Sequence, residues 1–544
     1  MKKSILILIL ALSAWTLPVL HAEAAPSSAD GLQAAPLATL SNYPDSDLVL
    51  LKDFNKIRYE IDGTSRYQGD VVFKILTEKG RQKKSSISMG FSTAYGSLQF
   101  LDAAIIKPDG RRVEINLETQ VRETIASGQM NANIYDPNQK TIRLSVPDLE
   151  IGDILRYSYA GERTKTVVPD TWANWFVLEE TEPIIQAVYE IDAPAGLPLT
   201  HIALRDEIEN TVRSTEKRIG DRIFYRWEIN AVPRMFAEPK MPARHTVVQR
   251  ILLSTISDWK SLSQWYWELS KPRLDDVTPE MTAKVQELTE GITDRQKQIE
   301  AIFRFVSQDI RYMGLTLEDE APGYEPHDVS LTFDNRYGVC RDKAALLVAM
   351  LRLGGFDAYP VLIYVGPKKD PDVPQPWFNH AITAVRNEDG TYLLMDSTDE
   401  NTRDLLPAYL SDCSYLVAHP EGETLQTSPI VPPEENLLSI EIDATLEDRN
   451  QISAEAVLSF GGINDTAYRG RLARLPPDER EPYFEKRLKH ALGNATLSRL
   501  EITPKEVRDT SAPLSITLRF EIENALIDGS TESLLKVPTL INSF

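Results

Sequence analysis

Cysteine is scarce in this sequence: Cys340 and Cys413 are the two cysteines among 544 residues. Two cysteines cannot form the dense disulfide framework that stabilises many small exported domains. No Cys/His pair has the spacing that zinc ligands need, so no metal site is expected. Each cysteine is therefore a buried thiol, half of one disulfide, or a nucleophile.

Positive charge is also in short supply, with 59 Lys and Arg against 80 Asp and Glu and a net charge of −21. Removing residues 1–24 takes away two lysines and one glutamate, which leaves −22. Such a chain is repelled by nucleic acid and by anionic membranes, so neither is expected as a partner. The acidic clusters "YPDSD" and "LEDEAP" lack the alternating ligand spacing of an EF-hand, so calcium is not expected either.

Long apolar runs are absent after the first segment of the chain. Lys2 and Lys3 precede an uncharged stretch over Ser4–Leu20, and Ala22-Glu23-Ala24 offers a small-x-small cleavage site. This pattern predicts a signal peptide over residues 1–24 and a periplasmic or secreted protein. A retained membrane anchor is the alternative. After cleavage no stable membrane insertion is expected, because no later run approaches the roughly 20 apolar residues that span a bilayer.

The first part of the mature chain is strand-like. Residues 25–45 are rich in Ala, Ser and Pro and are interpreted as a linker. Over 46–245, apolar runs such as "VVFKILTEKG" alternate with turn residues, including a hairpin turn at Pro108-Asp109-Gly110. Long helical periodicity is missing there. These features predict an N-terminal β-sandwich-like domain.

Helical periodicity begins near residue 257 and marks a second domain over 250–430. Ser257-Asp258 is a predicted N-cap, and one helical face carries Ile299, Ile302, Phe303, Val306 and Ile310. A further helix is predicted over 340–353, with Gly354-Gly355 at its end. The strand-like runs "AYPVLIYVG", "WFNHAITAV" and "TYLLMDS" follow, which predicts an α+β unit with an antiparallel sheet.

The last region, 436–544, returns to a β pattern and contains one polar helix around 477–492. Its final run, "KVPTLINSF", has no closing element, so the chain is expected to stop within this domain. The predicted fold class is therefore a multidomain α+β protein, with β-rich domains on both sides of the α+β core.

Cys340 stands where the predicted helix 340–353 begins, and the helix dipole favours a thiolate there. His380 lies on a strand, and the following strand brings Asp396 back alongside it. An imidazole needs an acceptor on its second nitrogen to fix its tautomer, and this carboxylate provides one. Asp342 is expected to face away from the thiol, since an anion beside it would oppose the thiolate. His327 is interpreted as a surface-loop residue.

The loop between the two strands tests this grouping. A two-residue loop, Asp389-Gly390, pairs residue 383 with 396 and puts Asp396 on the opposite face from His380. A three-residue loop, Glu388-Asp389-Gly390, pairs 382 with 396 instead, with Gly390 in a left-handed conformation. Asp396 then lies diagonally beside His380, within side-chain reach. The grouping therefore predicts the three-residue loop.

The segments "NRYGVCRDKAALLVAML", "FNHAITAV" and "LLMDST" resemble the transglutaminase-like cores of papain-type cysteine enzymes. More narrowly, the chain is similar to bacterial exported proteins that place such a core behind a β-rich domain of unknown function. The core resemblance covers about residues 260–410. One departure is Gly338-Val339-Cys340, because relatives usually have Gly-Asp-Cys. This departure affects the hydrogen bonding or substrate polarity next to the thiol.

The resemblance implies a catalytic triad of Cys340, His380 and Asp396, without a cofactor. It implies a thioester formed from a peptide or carboxamide carbonyl, with the backbone N–H of Cys340 at the oxyanion and Tyr312 as a second donor. Water or an amine resolves the thioester, and hydrolysis is slightly favoured. The expected substrate is a protein or peptide, with cell-wall peptide as one source, and the oligomeric state is left open.

A non-catalytic reading stays open beside the enzyme. In it, the chain is an envelope binding or scaffold protein whose core is vestigial and whose flanking β domains hold the function. A Cys340–Cys413 disulfide, or His380 and Asp396 on opposite faces, would favour that reading.

Overall fold

The computed structural model describes residues 33–544, apart from 127, 129–132, 316–317, 319–320, 448–449 and 542–543. The signal peptide predicted over 1–24 lies outside these residues. No helix in the described part of the chain is long and apolar enough to cross a membrane. Within the predicted linker, Ala35 and Ala38 are buried against Val49 and Leu51 of the first strand.

The N-terminal domain is built from strands, with two short helices between them. Its elements are β1 (Leu48–Tyr59), β2 (Ser65–Ile75), α1 (Glu78–Lys84), β3 (Ser86–Ser92), β4 (Gly96–Ile106), β5 (Arg112–Glu114), α2 (Leu117–Gln120), β6 (Val121–Ile125), β7 (Ile134–Tyr135), β8 (Gln139–Ser145), β9 (Ile154–Arg163), β10 (Ala173–Val177), β11 (Ile184–Pro194), β12 (His201–Arg205), β13 (Val212–Ile219), β14 (Arg222–Val232) and β15 (Arg250–Ser254).

Eight of the described strands form one sheet, in the order β13-β14-β11-β1-β2-β9-β4-β5. Two three-stranded sheets, β3-β8-β6 and β10-β15-β12, pack against it through a shared apolar core. The predicted turn at Pro108-Asp109-Gly110 closes the β4–β5 hairpin, where Gly110 has a φ of +84°.

Two features of this domain differ from the sequence prediction. Strands β1 and β11 pair in parallel, whereas the predicted β-sandwich-like domain was expected to be antiparallel. Strand β15 lies beyond the predicted limit at residue 245, yet it pairs with β10 and β12. The N-terminal domain thus extends to Ser254, because the apolar side chains of β15 complete its core.

The core domain follows as helices and then a sheet. Its elements are α3 (Trp259–Leu274), α4 (Pro279–Thr289), α5 (Arg295–Asp309), β16 (Arg311–Tyr312), β17 (Gly314–Leu315), α6 (Val329–Asn335), β18 (Tyr337–Gly338), α7 (Cys340–Leu353), β19 (Ala358–Tyr364), β20 (His380–Arg386), β21 (Tyr392–Met395), β22 (Ser414–Val417) and β23 (Gln426–Thr427).

Helix α7 is the centre of this domain, and every residue from Arg341 to Leu351 is buried. Helices α3 to α6 pack around it, and the antiparallel sheet β21-β20-β19-β22-β23 covers its other side. Asp258 caps α3 by accepting a hydrogen bond from the Ser261 N–H (2.8 Å). The predicted inward face of α5 is buried as expected. The α+β prediction is confirmed.

The C-terminal domain is a four-stranded antiparallel sheet, in the order β24-β25-β27-β26, that packs against two helices. Its elements are β24 (Leu438–Glu447), β25 (Gln451–Phe460), α8 (Ile463–Arg474), α9 (Pro477–Leu492), β26 (Ala495–Thr503), β27 (Ser515–Glu523), β28 (Leu526–Asp528) and β29 (Ser533–Leu535). The sequence predicted α9 but missed α8. Helix α8 presents few apolar residues, and its main buried group is an ion pair.

Candidate active site

Cys340 is the first residue of α7, so its thiol lies at the positive end of a buried helix. The chain reaches this point through β18, which pairs in parallel with β16. Val339 is the N-cap, and its N–H donates to Asp342 Oδ2 (2.9 Å). The Asp342 carboxylate therefore caps the helix that carries the thiol.

Gly338 is required by this geometry. A Cβ atom at this position would lie 2.7 Å from the Cβ of Asp342, which is too close for two carbon atoms. Glycine thus lets the chain pass directly beside the capping carboxylate.

The loop between β20 and β21 has three residues, as the grouping of His380 with Asp396 requires. Thr383 lies opposite Met395 and Arg386 lies opposite Tyr392, which is the register that places 382 against 396. Gly390 has a φ of +84°, in the left-handed region. The predicted loop is confirmed, and Asp396 follows directly after β21 on the same side as His380.

Cys340, His380 and Asp396 lie together in the structure. His380 Nε2 is 2.9 Å from Asp396 Oδ2. His380 also acts on the Cys340 thiol, whose pKa it lowers, and with Nε2 on Asp396 the ring nitrogen left for the sulfur is Nδ1. Helix α7 is held against β20 by Thr383, whose hydroxyl donates to the Ala344 carbonyl (3.1 Å).

The electrostatics of the three groups favour a thiolate beside an imidazolium. Burial alone would raise the pKa of the Cys340 thiol, but the hydrogen bond and charge of His380 hold that pKa below its usual value. Burial lowers the pKa of His380, yet Asp396 and Cys340 together raise that pKa to about 10. The pKa of Asp396 is held down against its complete burial chiefly by His380. Each charge thus stabilises its neighbour.

Two tyrosines complete the group. Tyr312 is at the end of β16, and burial together with the nearby Cys340 thiol raises the pKa of its hydroxyl. Tyr409 donates to Asp396 Oδ2, the oxygen that also faces His380. Asp396 Oδ1 accepts from the N–H and the hydroxyl of Thr398, at 3.0 and 2.7 Å. The sequence suggested Tyr312 but not Tyr409, which lies in a 3-10 turn (Ala408–Leu410) of the long connection between β21 and β22, where no local pattern indicates such a contact.

Cys340 and Cys413 are both free thiols in the structure. Cys413 is 4% exposed and packs among apolar side chains of the sheet. The arrangement therefore leaves the Cys340 sulfur available to His380.

Two family models match the chain. A model described as the transglutaminase-like superfamily covers residues 282–397, which include Cys340, His380 and Asp396. Residues 282–397 are a transglutaminase-like domain. A second model, described as a domain of unknown function (DUF3857), covers residues 61–236, within the N-terminal β-rich domain. A search of curated proteins found no match.

The architecture also occurs among solved structures. A crystal structure of a candidate protease from Parabacteroides distasonis matches 91% of this chain and 95% of its own, with 13% identity and a TM-score of 0.56. This likeness shows the shared fold. A candidate cysteine protease from Cytophaga hutchinsonii matches 65% of this chain and 80% of its own, with 12% identity and a TM-score of 0.17. An M1 zinc metallopeptidase from Deinococcus radiodurans matches 38% and 42%, with 9% identity and a TM-score of 0.21.

A charged cluster of Glu318, His327, Arg341 and Asp342 lies at the N-terminal end of α7, the helix that carries Cys340. His327 is half-buried rather than on an open loop, and its N–H and Nδ1 lie 3.0 and 3.1 Å from Asp342 Oδ1. His327 Nε2 lies 3.5 Å from Glu318 Oε1, which also accepts from Arg341. Asp342, which was expected to face away from the thiol, thus has its carboxylate bonded to His327 and to the Val339 N–H.

This cluster predicts a pH-dependent stability. The hydrogen bond with Asp342 raises the pKa of His327 above its ordinary value near 6.5. The resulting stabilisation is complete below about pH 6.5 and is lost as the pH rises through the folded-state pKa. His327→Gln is thus expected to lower the free energy of unfolding more at about pH 6 than at about pH 9. Urea unfolding at both pH values measures this, and an equal loss at the two would contradict it.

Proposed function

We propose that this chain is an exported cysteine enzyme that acts on peptide or carboxamide bonds. One observation carries the proposal: the His380 imidazole is bonded to the Asp396 carboxylate (2.9 Å) and lowers the pKa of the Cys340 thiol at the start of α7. In this arrangement the imidazole shuttles a proton while the carboxylate orients the ring and stabilises its cationic form. Tyr409 and Thr398 act as positioning residues, because they hold Asp396 and do not face the thiol.

In the first half of the reaction, the Cys340 thiolate attacks the carbonyl carbon and a C–S bond forms. The carbonyl oxygen becomes an oxyanion. The backbone N–H of Cys340, which has no partner within its own helix, and the Tyr312 hydroxyl are the proposed donors to it. His380 then gives its proton to the departing nitrogen, the C–N bond breaks, and a thioester remains on Cys340.

In the second half, a nucleophile attacks the thioester while His380 accepts its proton. The C–S bond breaks and the sulfur is released as thiolate beside the protonated imidazole. Water gives hydrolysis, and a primary amine gives acyl transfer. We favour hydrolysis, since water needs no dedicated binding site to reach the thioester.

The proposed cellular location and substrate class are inferred from the sequence. The basic start, the apolar stretch and the small-residue cleavage site over residues 1–24 support export to the periplasm or outside the cell. The proposed substrates are proteins or peptides met there, including cell-wall peptide.

A mixed peptide library rich in Gln, Asn and internal peptide bonds tests the proposal. The chain without residues 1–24 is incubated with the library, with and without a primary amine, and the products are identified by mass spectrometry. We expect hydrolysed products from the wild type and a loss of at least about 10³-fold in Cys340→Ala. Products that persist in Cys340→Ala would contradict the proposal, and a wild type inert towards every peptide class would favour the scaffold reading.

A further inference from the structure

A large groove in the N-terminal domain is separate from the site at Cys340. It has a volume of about 740 Å³ and lies between the eight-stranded sheet and the two strands β3 and β10. We call it the β3–β10 groove. Its floor is formed by side chains of β1, β2 and β9, and Tyr324 and Trp377 of the core domain close one side. Trp377 lies shortly before His380 in the chain, so the groove reaches the segment that leads into β20.

The two walls of the β3–β10 groove are strand edges. Consecutive residues line it on both sides, 89–92 from β3 and 173–177 from β10. Successive side chains of a strand point to opposite faces, so consecutive residues line one space when the edge of the strand faces it. Within the described part of the chain, β3 pairs with β8 and β10 with β15, and each is the outer strand of its sheet.

One main-chain N–H of β10 is hydrogen bonded to a side chain of its own strand. The Trp175 N–H of β10 is bonded to the side chain of its own neighbour, Asn174 (2.9 Å). A carbonyl group from an added strand offers the same N–H a better-aligned acceptor. Exposed strand edges of this kind accept extended peptides by main-chain hydrogen bonding.

The floor of the groove is a flat aromatic surface. The ring of Tyr159 lies over Gly69, where a Cβ atom would come within 2.3 Å of the ring. The ring of Tyr67 lies over Gly161 in the same way, with a Cβ again 2.3 Å from the nearest atom. In the pairing of β2 with β9, Gly69 lies opposite Tyr159 and Tyr67 lies opposite Gly161. The two glycines therefore let the rings lie flat and keep the space above them open.

The groove carries positive charge that no described residue neutralises. Arg163 lies on the same face of β9 as Tyr159 and lines the groove, and its guanidinium has no hydrogen bond or ion pair within the described residues. Two carboxylates that line the groove have cationic partners: Glu162 pairs with Arg66 (4.0 Å), and Glu180 pairs with Arg244. The third, Asp53, instead accepts hydrogen bonds from Tyr189 and Asn55 (2.8 Å each), and burial raises its pKa, which favours its neutral form. Burial accordingly lowers the pKa of Arg163.

A second cation lies at the other end. An adjoining cavity of about 420 Å³ shares Asp53, Tyr159 and Tyr189 with the groove. There Lys84 lies 3.6 Å from the centre of the Phe73 ring and forms no ion pair with a described residue. Phe73 is about eight residues along β2 from the position opposite Arg163, which separates the two cations by roughly 25 Å.

We propose that the β3–β10 groove binds an extended acidic peptide segment of a partner polypeptide. The segment adds as a strand along the edge of β3 or β10, its side chains rest on the tyrosine floor, and its carboxylates meet Arg163 and Lys84. A guanidinium binds a carboxylate in a bidentate manner, which makes Arg163 the main specificity determinant. This binding needs no reaction at Cys340, so the inference does not rest on the proposed function.

Fluorescence anisotropy with labelled nonapeptides tests the inference. One library alternates Glu with Thr or Val, and its matched library has Gln in place of every Glu. We use the full chain with Cys340→Ala, which prevents turnover. The Glu library is expected to bind at least about tenfold more tightly than the Gln library, and Arg163→Gln is expected to remove most of this difference. Lys84→Gln is expected to reduce it by a smaller factor.

A control variant and a second measurement distinguish a loss of peptide binding from a folding defect. Arg218→Gln changes an exposed arginine on β13 that does not line the groove; it is the matched control and is expected to bind as the parent does. Hydrogen exchange of the parent protein with the Glu library is expected to show new protection of amides in β3 or β10. Equal binding of the two libraries, no binding of either, unchanged affinity in Arg163→Gln, or protection confined to other strands would overturn the inference.

Discussion

Alanine in place of His380 is expected to slow the alkylation of Cys340 by iodoacetamide on the order of 100-fold at about pH 6. The reactive form is the thiolate, and His380 is the largest influence that holds the thiol pKa below its usual value. Without the imidazole, burial raises that pKa above the ordinary value of about 8.5. The rate is read by peptide mass spectrometry of the segment that contains Cys340.

The chain supplies two controls for this experiment. His490→Ala changes an exposed histidine on α9 and is expected to leave the rate unchanged. Cys413 is buried and is expected to react slowly in every variant. A His380→Ala variant that is alkylated as fast as the wild type at about pH 6 would show that the imidazole does not activate the thiol.

Asp465→Ala is expected to destabilise the C-terminal domain by about 3–5 kcal/mol. Arg469 is fully buried in α8, and Asp465 is its anionic partner. Arg469 also donates to the carbonyls of Val507 and Asp509, at 2.9 and 2.8 Å. Removing the carboxylate leaves the Arg469 guanidinium buried without a counter-charge. It also leaves the Leu514 N–H, which donates to Asp465 Oδ2 (2.7 Å), without its acceptor.

Native-state hydrogen exchange at the amides of β25 and β27 measures this loss separately from the other domains. The matched control is Glu485→Ala, which breaks the exposed ion pair between Glu485 and Lys489 (2.8 Å) on α9. That pair is expected to contribute less than about 1 kcal/mol. A loss in Asp465→Ala as small as in the control would contradict a structural role for the buried pair.

The parts of this molecule set by local sequence were predictable. Helix α7 was predicted over 340–353 from the apolar run that begins at Ala344 and from the stop at Gly354-Gly355. Turn chemistry left two loop lengths open between β20 and β21, and the grouping of His380 with Asp396 required the three-residue loop from Glu388 to Gly390 that the register shows.

Contacts between distant segments were not predictable in this way. The parallel pairing of β1 with β11 joins strands more than a hundred residues apart, and no turn fixes its register. Tyr409 reaches Asp396 from a loop whose sequence carries no signal. The β3–β10 groove depends on where three separate sheets meet, and its glycines look like ordinary strand interruptions until the tyrosines opposite them are known.

The most direct test of the account is the pKa of the Cys340 thiol in the resting protein. Ultraviolet absorbance of the thiolate is followed against pH in the wild type, and the same titration of Cys340→Ser is subtracted. We expect a midpoint well below the ordinary value of about 8.5, because a thiolate paired with the His380 imidazolium forms at a lower pH than a free thiolate. A midpoint at or above about 8.5 would show an ordinary buried cysteine and contradict the proposed enzyme.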